Sequence, residues 1–99
     1  MNIIKNKENT TMTIAVEGRL ETTTAPELEA VVKSELEGVT DLTFDFANLE
    51  YISSAGLRVI LTAQKTMNKQ GSMKITGANE IVREIFDITG FSSIMNLEA

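Results

Sequence analysis

Apolar and polar positions alternate along this chain with two different periods. In Thr11-Met12-Thr13-Ile14-Ala15-Val16-Glu17-Gly18, Met12, Ile14 and Val16 share one face, the period-two pattern of a strand with one buried side. Ile3 and Ile4 begin a shorter strand before it, with Asn6-Lys7-Glu8-Asn9 as the hairpin turn. Thr24-Ala25-Pro26-Glu27 then fits a capping box, with proline in the first turn where its missing N–H costs nothing. Leu28, Val31, Val32 and Leu36 recur at helical spacing up to Gly38, which predicts a helix over 25–37. Leu42-Thr43-Phe44-Asp45-Phe46 alternates again as a strand. A second helix is predicted over 55–69, with Leu57, Ile60, Leu61 and Met67 on one stripe and Gly71 as its stop. Gln64 falls inside that stripe, and the pattern does not explain it. Met73-Lys74-Ile75-Thr76 is a short strand. Asn79 caps a third helix over 80–89, carrying Ile81, Val82, Ile85 and Ile88 and closed by Gly90. Phe91 and the residues from Ile94 to Leu97 supply one last short strand.

The order β-β-α-β-α-β-α, with a final β, places strands and helices in alternation. Such a chain pairs its strands in parallel through right-handed crossovers. The expected fold is α/β: a single domain over 1–99 with a mixed β-sheet of four to five strands and three helices packed on one face. No internal repeat, linker or low-complexity segment interrupts it.

Composition weakens most enzyme readings. There is no cysteine and no histidine, so thiolate nucleophiles, zinc knuckles and histidine bases or metal ligands are all excluded. Lys and Arg number 9 against 14 Asp and Glu, and a net charge of −5 repels nucleic acid and anionic membrane. The N-terminus lacks the apolar run of a signal peptide, and no stretch approaches the ~20 apolar residues of a membrane span. The expected location is therefore cytoplasmic.

Few residues are placed for chemistry. Asp45 and Glu50 flank a strand end and are the candidates for a two-carboxylate site. The glycines never fall into a phosphate-cradling GxGxxG or GxxxxGK spacing. One segment stands apart, Leu49-Glu50-Tyr51-Ile52-Ser53-Ser54-Ala55-Gly56-Leu57-Arg58-Val59-Ile60-Leu61, which joins the 42–46 strand to the second helix. Junctions of this kind lie at the carboxyl ends of parallel strands, where ligands bind. Serine before a helix is ordinarily an N-cap, but a cap needs one serine and here there are two. Gly56 costs about 1 kcal/mol against alanine inside a helix, so a close approach is expected there. Ser54 is the candidate for a modification or binding site. Arg58 is either a contact to a partner's acid or a solvated charge. Glu21 and Thr22 either lie near Ser54 or are ordinary turn residues.

Ile52-Ser53-Ser54-Ala55-Gly56-Leu57-Arg58-Val59-Ile60-Leu61 resembles the signature loop and helix of STAS domains, the family of bacterial anti-sigma-factor antagonists. Gly18-Arg19-Leu20-Glu21-Thr22 resembles the family's Gly-x-Leu-Asp turn after the second strand. Leu42-Thr43-Phe44-Asp45-Phe46 resembles its central strand, and Phe86-Asp87-Ile88-Thr89-Gly90-Phe91 its third-helix ending, Phe-x-x-x-Gly-Leu. Each motif is weak alone, and four in the right order are strong.

The resemblance implies a partner switch. An anti-sigma factor that is itself a serine kinase phosphorylates the signature loop, and a PP2C-type phosphatase removes the phosphate. The unmodified antagonist binds the kinase and releases the kinase's other client. The family loop reads Asp-Ser-Ser/Thr-Gly-Leu with the serine after Asp modified. Alignment on Gly56-Leu57 places that serine at Ser54, with Ser53 in the Asp position and Ala55 in the second Ser/Thr position. The missing Asp leaves open whether Ser53 is modified or orders the loop. Partner contacts are then expected at Ser53, Ala55, Gly56, Arg58, Glu21 and Thr22. No catalytic residue, metal or cofactor is expected, because the kinase brings the nucleotide and Mg²⁺. Many members carry a fourth, C-terminal helix, which is expected to be absent here because only Glu98 and Ala99 follow Leu97. The alternative reading is a non-phosphorylated STAS subunit of another complex, such as a lipid-transport or stress-signalling assembly.

Overall fold

Met12, Ile14 and Val16 are buried while their neighbours Thr13, Ala15 and Glu17 are partly exposed, so the alternation in the sequence is the alternation of a half-buried strand. The computed structural model describes residues 1–98, and Ala99, the last residue of the expected domain, lies outside the described residues. The elements run β1 (Asn2–Glu8), β2 (Thr11–Leu20), α1 (Ala25–Glu35), β3 (Asp41–Asp45), β4 (Leu49–Ile52), α2 (Ser54–Gln70), β5 (Ser72–Thr76), α3 (Glu80–Ile88), a single 3₁₀ turn at Phe91–Ser93 and β6 (Leu97–Glu98). The sheet order is β1-β2-β3-β5-β6, with β4 pairing only to β2. β1 and β2 form an antiparallel hairpin, and every other pair is parallel.

Register lines the buried side chains up in rows. Met12 faces Leu42 and Leu42 faces Met73; Ile14 faces Phe44 and Phe44 faces Ile75. A one-residue slip would turn each row toward solvent, so burial of one face fixes the pairing. Those rows form one continuous core with Ala25, Leu28 and Val32 of α1, Leu57, Ile60, Ala63 and Met67 of α2, and Val82 and Phe86 of α3. The three helices thus cover one face of the sheet. Thr13, Thr43, Asp45, Lys74 and Thr76 on the other face remain partly exposed.

Four details differ from the pattern-based expectation. β1 continues to Glu8, which pairs with Thr11, so the turn is Asn9–Thr10 rather than Asn6–Asn9. Asn9 takes the left-handed conformation there (φ 55), which asparagine tolerates better than most residues. β1 is an edge strand whose polar, lysine-bearing residues look like a loop but protect an open edge. Thr24 makes no side-chain cap to α1. Its hydroxyl is drawn into the preceding loop instead, accepting from the Glu21 N–H at 2.9 Å and donating to the Arg19 carbonyl at 2.9 Å. The sheet has six strands rather than four to five, the unexpected one being β4. Finally, Phe91 lies in the 3₁₀ turn, and only Leu97 and Glu98 of the closing segment pair with β5.

The helix ends otherwise follow the expected punctuation within the one or two residues by which such boundaries vary. Asn79 caps α3, its Oδ1 accepting from the Val82 N–H at 2.8 Å. Beyond α1, the Gln70 side-chain amide donates to the carbonyls of Leu36 and Val39, each at 2.6 Å, so the end of α2 satisfies the end of α1. Gln64 is 8% exposed; its Nε2 donates to Asn68 Oδ1 at 2.9 Å, while its Oε1 has no partner.

Candidate functional site

The site is built where β2 hands over from one neighbour to another. Thr11 to Ala15 of β2 pair with β3, and Gly18 to Leu20 pair with β4, with an irregularity between Gly18 and Arg19. This shift carries β4 beyond the end of β3 and places its carboxyl end beside Leu20. The Ser53 N–H donates to the Leu20 carbonyl at 2.9 Å, which fixes the first residue after β4 against β2.

Ser53 is extended (φ −95, ψ 176) and is the N-cap of α2, its hydroxyl oxygen accepting from the Gly56 N–H at 3.4 Å. The Leu57 N–H also donates to the Ser53 carbonyl at 2.9 Å. Ser54 is therefore the first helical residue rather than the residue before a helix starting at 55. The capping geometry requires an extended backbone, and Ser53, following directly from β4, already has it. Ser54 is left exposed, with no side-chain hydrogen bond among the described residues. The first turn of α2 contains no acidic residue.

Gly56, one of the residues expected at the partner surface, is buried. A Cβ there would sit 2.7 Å from Leu20 Cγ, 2.9 Å from Ile52 Cγ1 and 3.0 Å from the Leu20 carbonyl oxygen. The close approach that demands a glycine comes from the ends of β2 and β4 within the chain. This contact sets α2 against the sheet and so positions Ser54.

The loop from β2 to α1 borders the same end of the sheet. Beyond the Thr24 hydroxyl contacts, the Glu21 carbonyl accepts from the Thr24 and Ala25 N–H groups at 3.0 and 2.7 Å. The Glu21 carboxylate meets Arg19 Nε at 3.2 Å, and the Arg19 guanidinium stands 4.6 Å from the centre of the Tyr51 ring. Arg19 and Tyr51 are register partners across β2 and β4, so this stack follows from the pairing. From the sequence, Thr24 was expected only to cap α1, and neither Arg19 nor Tyr51 had a part of its own. The only available signal for the latter two was the Arg-x-Glu spacing, because the strand carrying Tyr51 was not foreseen.

A groove of about 170 Å³ runs between the starts of α1 and α2, lined by Thr22, Ala25, Pro26, Glu29, Ala55, Arg58 and Val59. It brings Thr22, Ala55 and Arg58 together from two separate segments. Arg58 is exposed and joins no ion pair among the described residues, whereas Glu29 across the groove is 3.8 Å from Lys33. Ser53, Ser54 and Glu21 do not line the groove, although each is one or two residues from a residue that does. Asp45 Oδ1 accepts from the Ala47 N–H at 3.0 Å, shaping the turn after β3. No helix among the described residues is long and apolar enough to cross a membrane.

The family model described as the STAS domain matches residues 2–99. The anti-sigma-B factor antagonist of Staphylococcus epidermidis is 35% identical over 86 residues, which are 85% of this chain and 80% of that protein. The structure of the anti-sigma factor antagonist SpoIIAA in its unphosphorylated form superposes with a TM-score of 0.79 at 16% identity, covering 99% of this chain and 88% of the other. Phosphorylated SpoIIAA of Bacillus gives a TM-score of 0.77 at 17% identity, covering 99% and 92%. The two superpositions show that the fold is shared.

Proposed function

The chain belongs to the STAS domain family, and from that membership we propose that it is an anti-sigma-factor antagonist operating a partner switch in the cytoplasm. In its unmodified form it binds an anti-sigma serine kinase and thereby releases the kinase's client. Phosphorylation of Ser54 ends that binding. The kinase supplies ATP and Mg²⁺. Ser54 Oγ attacks the γ-phosphorus, the bond to the bridging oxygen breaks, ADP leaves and the hydroxyl proton passes to solvent. A PP2C-type phosphatase reverses the state by directing water onto the phosphorus, which restores the hydroxyl and releases inorganic phosphate.

The observation that carries this reading is the division of labour between the two serines. Ser53 caps α2, so the Ser54 hydroxyl is exposed and has no structural duty. A phosphate there extends from the first turn of a helix whose N–H dipoles favour an anion, so the modified domain stays folded. The loss falls on the interface formed by Ser53, Ser54, Ala55, Arg58, Glu21 and Thr22. A group carrying about −1.5 to −2 charges must be desolvated there against a kinase site that already binds nucleotide phosphates.

The test is calorimetric affinity for the candidate kinase with ADP, with circular dichroism to follow folding and mass spectrometry to map the phosphate. Ser54→Ala should keep the wild-type affinity and take up no phosphate. Ser54→Asp should fold normally and bind at least tenfold more weakly, about 1.4 kcal/mol. Equal affinity of wild type, Ser54→Asp and phosphorylated protein would remove the mechanism. Phosphate found only on Ser53 would shift the site by one residue.

A further inference from the structure

We propose that Arg58 captures the phosphate on Ser54 within the same helix, and that this capture withdraws the guanidinium from the α1–α2 groove when the chain is phosphorylated. The proposal rests on the reading of Ser54 as the acceptor and adds the residue that receives the new charge.

Ser54 and Arg58 are four residues apart on α2, so they lie one above the other on the same helix face, with Cβ atoms about 5–6 Å apart. Helical side chains lean toward the N-terminus, so the long Arg58 stem extends back over the turn that begins with Ser54. The order also matters. An anion placed N-terminal to a cation at this spacing is the favourable arrangement, because each charge then opposes the helix dipole near it. A guanidinium presents paired N–H donors that match two phosphate oxygens, which an ammonium does not.

The surrounding charges leave Arg58 free for this role. Glu21 of the β2–α1 loop is engaged by Arg19 of β2. Glu29 of α1, the acid that lines the groove with Arg58, is next to Lys33. Glu50 of β4 is exposed and Glu27 of α1 is exposed, and neither joins an ion pair among the described residues. No acid in the first turn of α2 competes with a phosphate for Arg58. In the unmodified chain the guanidinium is therefore a groove-lining cation with no fixed partner. Once Ser54 carries phosphate, the guanidinium has a dianion one turn away. The groove then loses its cation and keeps Glu29, so one modification alters the surface twice: a dianion appears at Ser54, and a partner's acid loses the site that received it.

The experiment needs no kinase. Phosphoserine is installed at position 54 of the full chain by genetic encoding, and its second ionisation is followed by ³¹P NMR as a function of pH. The ordinary midpoint is about 6. In the wild-type sequence it should lie about half a pH unit or more below the midpoint in Arg58→Gln, with Arg58→Lys between them. Amide spectra of the three unphosphorylated proteins should match, because Arg58 packs no core. Identical midpoints for wild type and Arg58→Gln would show that the helix N–H groups alone hold the phosphate and would overturn the clamp. That result is separable from failure of the switch. A kinase that transfers phosphate to Ser54 while the midpoints coincide removes only the clamp, and a distinct midpoint with no transfer by any kinase removes only the switch.

Discussion

The N-terminal ends of α2 and α3 are built to the same plan and finished differently. Each follows a parallel strand, and each starts from an extended cap residue, Ser53 (ψ 176) or Asn79 (ψ 173). Each cap accepts a hydrogen bond from the N–H three residues on, at 3.4 Å for Ser53 and 2.8 Å for Asn79. At α3 the remaining demands are met inside the chain. Glu80 supplies a negative charge in the first turn, and Asn79 Nδ2 also donates to the Leu49 carbonyl of β4 at 3.0 Å. At α2 the first turn holds Ser54, Ala55 and Gly56, with no acid. Gly56 fixes the position of the helix against Leu20 and Ile52, while Ser54 leaves the positive end of its dipole without a negative charge. One end is complete; the other is rigidly placed but electrostatically open. A covalently added anion fits the second and not the first, and the difference can be attacked in three places.

The largest effect should come from removing the rigidity at α2. Gly56→Val puts branched carbons where even a Cβ would lie 2.7 Å from Leu20 Cγ and 3.0 Å from a backbone oxygen. Overpacking of this kind is expected to cost about 3 kcal/mol, or a melting temperature lower by roughly 15 °C for a domain of this size. A melting temperature within a few degrees of wild type would show that the α2 end can shift, and the contrast of a fixed, open end would fail. The caps come next. Asn79→Ala loses both the cap bond and the bond to β4, about 2 kcal/mol, whereas Ser53→Ala loses one long bond, about half as much. Urea midpoints at constant slope measure both. A larger loss at Ser53 than at Asn79 would reverse the ranking of the two ends.

What could be read from the sequence follows the physics that each feature depends on. The long periodic segments, read as 11–18, 42–46, 55–69 and 80–89, declare themselves because one buried face imposes its period on the residues. β4 does not: its buried residues are Leu49 and Ile52, three apart, and its pairing depends on an irregularity in β2 that no pattern records. The contact of Arg19 with Tyr51 is hidden for the same reason. The signature loop is legible as a motif, yet a Ser-Ser pair does not say which serine caps, since that depends on where β4 stops. Gly56 is legible as a close approach, but not the partner in it; the neighbours are Leu20 and Ile52, brought in by pairing between distant segments. The capping box at Thr24 is a real sequence pattern defeated by a nearer competitor, the backbone of the Arg19–Glu21 loop.

The smallest effect tests the electrostatic half of the comparison through a mirrored pair of substitutions. Ser54→Asp adds a carboxylate to the first turn of α2, and Glu80→Gln removes one from the first turn of α3. Serine and aspartate have similar helix propensities, as do glutamate and glutamine, so intrinsic preference contributes little to either change. If the helix dipole governs these ends, Ser54→Asp should stabilise the domain by about 0.5 kcal/mol and Glu80→Gln should destabilise it by a similar amount. Global charge predicts the opposite signs. The chain already carries −5, so another acid should add self-repulsion and the loss of one should relieve it. The signs therefore separate the local cause from the global one. Both differences should shrink in 1 M salt, where the screening length is about 3 Å. The relevant measurement is thermal or urea denaturation of the two variants at low and high salt. A Ser54→Asp protein less stable than wild type at low salt would mean that the start of α2 does not accept an anion. A phosphate placed on Ser54 would then act by disturbing the helix rather than by changing the surface of a domain that remains folded.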